Sequence, residues 1–120
     1  MIRFALCTAL ALTSTSVFAQ QKTTAGTGAI LRGLEKVNGA TQDIEMAIGQ
    51  TEIFGRLSIT LMDCRYPKGN RAGNAYASLE IIETGRDGTV FSGWMIASSP
   101  ALNAMDHSRY DVWVLRCTTP

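Results

Sequence analysis

The chain has no long apolar run, few cysteines and a single histidine. Its most apolar stretch, residues 4–12, is about half of the ~20 residues that a helix needs to cross a bilayer, so no transmembrane anchor is predicted. The cysteines form no Cys-x-x-Cys pair, and a lone histidine cannot supply paired ligands, so the spacing of a zinc site is missing. We therefore expect neither a metal nor another cofactor.

The first 19 residues have the three parts of a secretory signal. Arg3 supplies the positive charge, residues 4–12 supply the apolar region, and Val17 and Ala19 are the small residues at the minus-three and minus-one positions. We predict cleavage after Ala19 and export to the periplasm. Cys7 lies well before this site, which argues against a lipoprotein.

Removing 19 of the 120 residues leaves 101, with ten basic side chains against ten acidic ones. This length predicts one β-rich domain over residues 29–120, after a flexible, polar and Gly-rich leader over residues 20–28. Formal neutrality argues against binding to nucleic acid and against polybasic attachment to a membrane, because both need a basic surface. We expect neither a nucleic-acid partner nor a segment that spans a membrane.

Cleavage also leaves two cysteines, Cys64 and Cys117. An even number of cysteines in an exported protein predicts a disulfide, because the compartment is oxidising. The bridge would close a loop of about 54 residues. The lost entropy of the unfolded chain would then stabilise the fold by at most about 4 kcal/mol. A covalent link of this kind suits a domain too small for a large core.

Strand patterns dominate the mature chain. Alternation of apolar and polar residues, or β-branched and aromatic content, predicts six strands: 29–37, 43–48, 57–61, 75–81, 89–97 and 110–117. The pairs Asn38-Gly39 and Asp87-Gly88 are typical of tight hairpins.

One short helix is predicted near residues 100–105, because Ser98-Ser99-Pro100 places a capping serine before a first-turn proline. Six or seven short strands with one small helix favour an all-β fold. We predict a small antiparallel β-sandwich or a partly open barrel.

Three segments carry a resemblance to a known family. They are FSGWMIASSPALNAMDHSRYDVWVLRC at 91–117, Phe54-Gly55-Arg56-Leu57 and Cys64-Arg65-Tyr66-Pro67. Together they resemble the alphaproteobacterial family called domain of unknown function 2155, over a span from about Gly28 to Cys117. The resemblance implies a small exported domain without an established activity. It also implies an association with accessory genes of respiratory complex I.

A cluster of polar residues in the last of these segments permits a catalytic interpretation. His107 could act as a base for Ser98 or Ser99, oriented by Asp106 or Asp111. No Gly-x-Ser-x-Gly elbow surrounds either serine, and the same side chains can instead cap the helix and close the loop after it. A small hydrolase is therefore the alternative hypothesis.

Aromatic and arginine side chains near this cluster favour a protein-binding site, because Trp, Tyr and Arg are the usual anchors of interfaces. The candidate residues are Arg65, Tyr66, Trp94, Ser98, Ser99, Asp106, His107, Arg109 and Tyr110. The main hypothesis is a non-catalytic binding or accessory domain of the cell envelope that docks on a membrane complex such as respiratory complex I. A purely structural envelope protein is the third hypothesis.

Overall fold

The computed structural model describes residues 22–120. The predicted signal peptide, its cleavage site after Ala19 and Cys7 lie outside the described residues. Eight strands form in the described part: β1 (Thr23–Ala25), β2 (Gly28–Glu35), β3 (Thr41–Ala47), β4 (Thr51–Phe54), β5 (Leu57–Pro67), β6 (Tyr76–Glu83), β7 (Thr89–Ile96) and β8 (Tyr110–Thr118). Residues 22–120 include no helix of the length and apolarity that would cross a bilayer.

The strands form two antiparallel sheets. Sheet A has the order β1-β5-β6-β7, and β4 also pairs with β5. Sheet B has the order β3-β2-β8. Because β5 is 11 residues long, β4 pairs with its first residues while β1 pairs with its last three. The all-β prediction is confirmed, and the two sheets form an open sandwich that is not closed into a barrel.

Alternating apolar residues from both sheets build one core. In β5, the side chains of Leu57, Ile59 and Leu61 are fully buried, and in β8 those of Val112 and Val114 are almost fully buried. Successive strand residues point to opposite faces, so this period places one face of each sheet on the core. The predicted strands therefore correspond to β2, β3, β5, β6, β7 and β8.

The Asn38-Gly39 hairpin prediction is confirmed. Gly39 has φ of 72°, and its N–H donates to the carbonyl of Glu35, so the chain turns directly from β2 into β3. The side chain of Asn38 accepts a hydrogen bond from the N–H of Ala40 at 2.9 Å. Glycine and asparagine are the residues that tolerate this turn conformation best.

The predicted helix near residues 100–105 is wrong. Leu102 donates its N–H to the carbonyl of Ser99 at 3.1 Å, which closes one turn that does not continue. The side-chain amide of Asn103 then donates to the carbonyl of Trp94 at 2.8 Å and holds the chain against the edge of β7. Met105 is 5% exposed and anchors the loop in the core. A helix of one or two turns makes too few hydrogen bonds to offset the free energy needed to nucleate it, so these tertiary contacts decide the conformation.

The predicted flexible leader over residues 20–28 is wrong from Thr23 onward. The three residues of β1 pair with the end of β5, and the guanidinium of Arg65 donates to the hydroxyl of Thr23 at 2.9 Å. The chain then leaves sheet A at Gly26 and enters sheet B. A Cβ on Gly26 would lie 3.0 Å from the Cβ of Cys117, so this glycine permits a close approach of two chain segments.

The predicted disulfide joins the sheets at the same corner. Cys64 lies in β5 of sheet A and Cys117 in β8 of sheet B, and the structure bonds them with their Cα atoms 5.8 Å apart. Gly26 donates its N–H to the carbonyl of Cys64 at 2.7 Å. The crossing of the N-terminal segment and the covalent link therefore occupy one place in the sandwich.

Candidate functional site

Tyr110 is the centre of the polar segment that the sequence singles out. Its side chain is 1% exposed, and its ring meets the ring of Phe54 edge to face, with centroids 5.7 Å apart. Its hydroxyl accepts a hydrogen bond from the N–H of Arg56 at 3.3 Å. The guanidinium carbon of Arg109 lies 5.2 Å from the ring centroid, which is within cation–π range. Tyr110 thus joins the start of β8 to the hairpin between β4 and β5.

The packing of Tyr110 explains why the residue between Phe54 and Arg56 is a glycine. Gly55 has φ of 57°, and a Cβ there would lie 2.8 Å from the ring of Tyr110. On the opposite sheet, a Cβ on Gly33 would lie 2.7 Å from the ring of Phe54. Two glycines therefore make room for two edge-to-face aromatic rings between the sheets.

His107 is held by bonds to both ring nitrogens. Nδ1 accepts the backbone N–H groups of Arg109 and Tyr110 at 3.0 and 3.1 Å, so it carries no proton. Nε2 must then carry the proton, and it lies 3.0 Å from a carboxylate oxygen of Glu83, to which it donates. The ring therefore links the start of β8 in sheet B to the end of β6 in sheet A.

Glu83 is the acidic partner of this histidine. Its hydrogen bond from His107 is the main cause that lowers the pKa of Glu83, and the charge of Arg86, whose guanidinium lies 3.6 Å away, adds to it. Desolvation of the carboxylate acts in the other direction. Nearby, the ammonium of Lys36 donates to the carbonyl of His107 at 2.7 Å. These polar groups bind one another and thereby fix the loop.

The structure does not bring the predicted catalytic residues together. Ser98 donates its N–H to the side chain of Asn74, before β6, whereas His107 bonds Glu83 at the other end of β6. The eight residues of β6 span about 26 Å at about 3.3 Å per residue. Ser99 follows Ser98 in the same turn, so neither serine lies within reach of the imidazole.

The two predicted orienting carboxylates also lie elsewhere. Asp106 is exposed, and one carboxylate oxygen of Asp111 accepts the N–H of Val112 at 2.9 Å. Since both ring nitrogens of His107 are already bonded, the imidazole offers no lone pair to a nucleophile. This geometry gives the hydrolase hypothesis no support. Within the part of the chain that the structure describes, no three His, Cys, Asp or Glu side chains are grouped so that they could hold a metal ion.

The predicted partner-binding residues do not form one surface. Tyr66, His107 and Tyr110 are buried, at 8%, 8% and 1% exposure. Trp94 is exposed on the outer face of sheet A in β7, and Arg65 lies on the same face in β5, with β6 between them. Ser98 and Ser99 are at one end of β6, and Asp106 and Arg109 are near the other.

Four large apolar side chains on the outer face of sheet A are exposed, and we call them the apolar face. They are Ile53 (65%), Met62 (52%), Ile82 (47%) and Trp94 (43%). Ile53 pairs with Ser58, which pairs with Ile82, and these three residues form a row across β4, β5 and β6. Trp94 in β7 pairs with Ser78 in β6. Ser78 in turn pairs with Asp63 in β5, directly after the bulge residue Met62.

Sequence reasoning found Trp94 and missed the other three. Ile82 directly follows Ile81 in β6, and one of two successive apolar residues in a strand must point away from the core. Met62 is the extra residue of a β-bulge, where strict alternation fails. Ile53 lies in β4, which is only four residues long and gives almost no periodic signal.

The outer face of sheet B is charged instead, and we call Arg32, Asp43, Glu45 and Arg116 the charged face. Arg32 makes two hydrogen bonds to the carboxylate of Asp43 at 2.7 and 3.1 Å. This hydrogen bonding is the main cause that lowers the pKa of Asp43, and the more distant charge of Arg116 adds to it. Glu45 and Arg116 lie on either side of Ile30 in one row of the sheet.

Comparison with known proteins now confirms the resemblance. The model of the family domain of unknown function 2155, described as an uncharacterized protein conserved in bacteria, matches residues 29–117, and the chain belongs to this family. An uncharacterized protein of Rickettsia prowazekii (strain Madrid E) is 28% identical over 87 residues, which cover 70% of this chain and 56% of that protein. The chain thus spans a little over half the length of this curated relative. No solved structure matches the chain.

Proposed function

We propose that this family member is a non-catalytic binding domain of the periplasm that docks on a protein partner through the apolar face. The observation that carries the proposal is the exposure of Ile53, Met62, Ile82 and Trp94 on one side of one sheet. Exposed apolar groups that share a surface mark interaction sites, whereas single ones need no explanation. The polar cluster around His107 has an internal structural role and supports no competing activity.

The chemistry of the apolar face suits a protein partner. Trp is enriched among the residues that dominate binding energy, and Met adapts its shape to irregular surfaces. Between the apolar side chains lie the small, partly buried hydroxyl groups of Ser58, Thr60 and Ser78 and the exposed carboxylate of Glu80, which pairs with Thr60. A mixture of apolar and polar groups is the usual composition of a protein interface.

A membrane complex of the envelope is the first partner to test, and respiratory complex I is the specific candidate. This choice rests on the family resemblance and on the predicted signal peptide. An exported domain that docks there would approach the complex from the periplasmic side, and would need no membrane segment of its own after cleavage.

Site-specific photo-crosslinking tests the proposal. A photo-reactive phenylalanine derivative at Ile82 is expected to form a defined adduct in cells that express the full chain, and the same group at Thr41, an exposed residue on the outer face of sheet B, is the control. Adding Trp94→Ser should remove the adduct, because that substitution removes the largest apolar side chain of the face. Equal crosslinking from both positions, or an adduct that survives the Trp94 substitution, would overturn the proposed surface.

Export has its own test. The full chain with a C-terminal tag should be recovered from the periplasmic fraction with Gln20 as its first residue, as determined by mass spectrometry of the intact protein. Substituting Ala19→Leu should block processing, because the signal peptidase site needs a small residue there. Recovery of the unprocessed chain in the cytoplasm would contradict the periplasmic assignment.

A further inference from the structure

Basic side chains without a partner collect at one end of the sandwich. Six of the ten basic residues in 22–120 form an ion pair with a carboxylate or donate to a backbone carbonyl: Arg32, Lys36, Arg56, Arg65, Arg86 and Arg109. The other four make no side-chain hydrogen bond or ion pair with residues 22–120, and all four are exposed: Lys22, Lys68, Arg71 and Arg116.

Chain connectivity places these four residues together. Lys68 donates its backbone N–H to the carbonyl of Lys22 at 3.0 Å, so the two residues are neighbours. Lys68 and Arg71 belong to the same loop between β5 and β6. Arg71 and Arg116 line one groove. Residues 22–120, with ten basic and ten acidic side chains, therefore carry a positive end.

The groove lies beside the end of β8 and has a volume of about 610 Å³. Arg71 and Ala72 line it from the loop, and residues 116–119 line it from β8. Ile30 and Glu45 of the outer face of sheet B complete the lining. We call this site the basic groove. The disulfide at Cys117 ties one wall of the groove to sheet A, so the two arginines are presented from a fixed framework.

We propose that the basic groove binds an extended protein segment that carries carboxylates. A guanidinium group binds a carboxylate through two parallel hydrogen bonds, and Arg71 and Arg116 have no internal carboxylate that occupies them. Ile30 and Ala72 offer apolar contact to the backbone and side chains of such a segment. Charge complementarity therefore selects an acidic segment as the occupant.

Glu45 argues against a phospholipid surface as the occupant. Its carboxylate lines the same groove, and no basic side chain within residues 22–120 lies within ion-pair distance of it. A layer of lipid phosphates would be repelled by Glu45, whereas a peptide segment can place a backbone N–H or a lysine against it. Four is also the smallest number of basic residues that is typical of a polybasic membrane-binding cluster.

This site is separate from the apolar face, so the two proposals can fail independently. The basic groove lies on the side of sheet B, and the apolar face lies on the outer side of sheet A. A partner that uses both would have to reach around the edge of the sandwich.

Fluorescence anisotropy on the full mature chain tests the proposal. The probe is a fluorescein-labelled Gly-Glu-Leu-Glu-Gly-Leu-Glu peptide, with the same peptide carrying Gln for Glu as its neutral counterpart. We expect the acidic probe to bind. The neutral probe should bind at least about tenfold more weakly, because its glutamine side chains cannot form charge-assisted hydrogen bonds with the guanidinium groups. The double variant R71Q/R116Q should weaken binding of the acidic probe by a similar factor.

The matched control is R56Q/R86Q, which removes the same charge from the opposite end of the sandwich. The proposal requires that this control bind the acidic probe like the unmodified chain. An equal loss in both double variants would show attraction by net charge alone and would overturn the groove. Binding to vesicles that contain phosphatidylglycerol, without binding to the acidic peptide, would assign the groove to lipid headgroups and overturn the protein segment.

Discussion

The outer faces of the two sheets differ in how their apolar residues are covered. Each face has an outward tryptophan, Trp94 on sheet A and Trp113 on sheet B. Trp113 is half-buried and lines one pocket with the loop residues Pro100, Ala101 and Ala104. Trp94 is 43% exposed, although Asn103 of the same loop bonds its carbonyl. The same loop therefore borders the half-buried tryptophan of sheet B and leaves that of sheet A exposed.

The difference shows that an outward position does not determine what a side chain contacts. On sheet B, long charged side chains such as Arg32 pair across the strands, and side chains of this kind lay their aliphatic stems along apolar surface. On sheet A, the residues between Ile53, Met62, Ile82 and Trp94 are short hydroxyl side chains and one exposed carboxylate, that of Glu80. The apolar face is thus a product of small neighbours as much as of its own residues.

Loss of the disulfide should have the largest effect on this arrangement, because it joins the sheets that carry the two faces. The double variant C64A/C117A is expected to lose about 2–5 kcal/mol of unfolding free energy, since the unfolded chain regains the entropy of a long loop. Urea denaturation monitored by tryptophan fluorescence measures this loss. Reduced unmodified protein is the control and should match the variant; an unchanged midpoint in both would mean that the bond does not stabilise the sandwich.

Substituting two successive isoleucines of β6 gives the most direct comparison of the inner and the outer face of sheet A. Ile81 is fully buried, and Ile82 is 47% exposed. Ile81→Thr should lower the free energy of unfolding by about 2–4 kcal/mol, since it removes buried apolar volume and buries a hydroxyl. Ile82→Thr should change it by less than about 0.5 kcal/mol while weakening partner crosslinking. Similar stability losses for both variants would contradict the register of β6.

Removal of His107 should weaken the contact between the sheets near the start of β8. His107→Ala leaves the N–H groups of Arg109 and Tyr110 without their acceptor, which should cost about 1–3 kcal/mol of unfolding free energy. Thermal or urea unfolding measures the change, and Asp106→Ala, at an exposed neighbour, is the matched control and should be close to neutral. A neutral His107 variant would refute the structural role assigned to the imidazole.

Acid should weaken the Glu83–His107 contact and the Asp43–Arg32 ion pair to different degrees, and this is the smallest of the expected effects. Glu83 and Asp43 both have lowered pKa values in the folded chain, so their stabilisation is complete above the unfolded pKa values and is lost as pH falls through the folded ones. Asp43 is the more exposed and so the more screened by salt. Unfolding midpoints between pH 7 and pH 2 should therefore show a salt-sensitive loss for Asp43→Asn and a less salt-sensitive one for Glu83→Gln. Equal salt sensitivity would contradict the difference in burial.

The sequence predicts the core well, because burial repeats with the period of the strand. The alternation in residues 57–61 and 75–81 gives both the strands and their inward faces. The short strands β1 and β4 have three and four residues, too few for a period to be seen. The helix prediction used a local capping pattern, and contacts made by Asn103 and Met105 with distant strands override that pattern.

The polar cluster could be located from the sequence, but its partners could not. Glu83, which bonds His107, is 24 residues away in the chain and carries no motif. Only the pairing of the sheets brings the end of β6 to the start of β8. The same limit applies to the serines, which are close to His107 in sequence and lie at the far end of β6.

The corner at Gly26 and the disulfide has a consequence for re-engineering the chain. Thr27 donates its N–H to the carbonyl of Thr118 at 2.8 Å, so the connection between β1 and β2 meets the end of β8 there. A few added residues could join Lys22 to Pro120, and new termini could then be opened in the exposed turn at residues 84–88. Such a circular permutant would keep every strand neighbour of the sandwich while reversing the order in which its two sheets are completed.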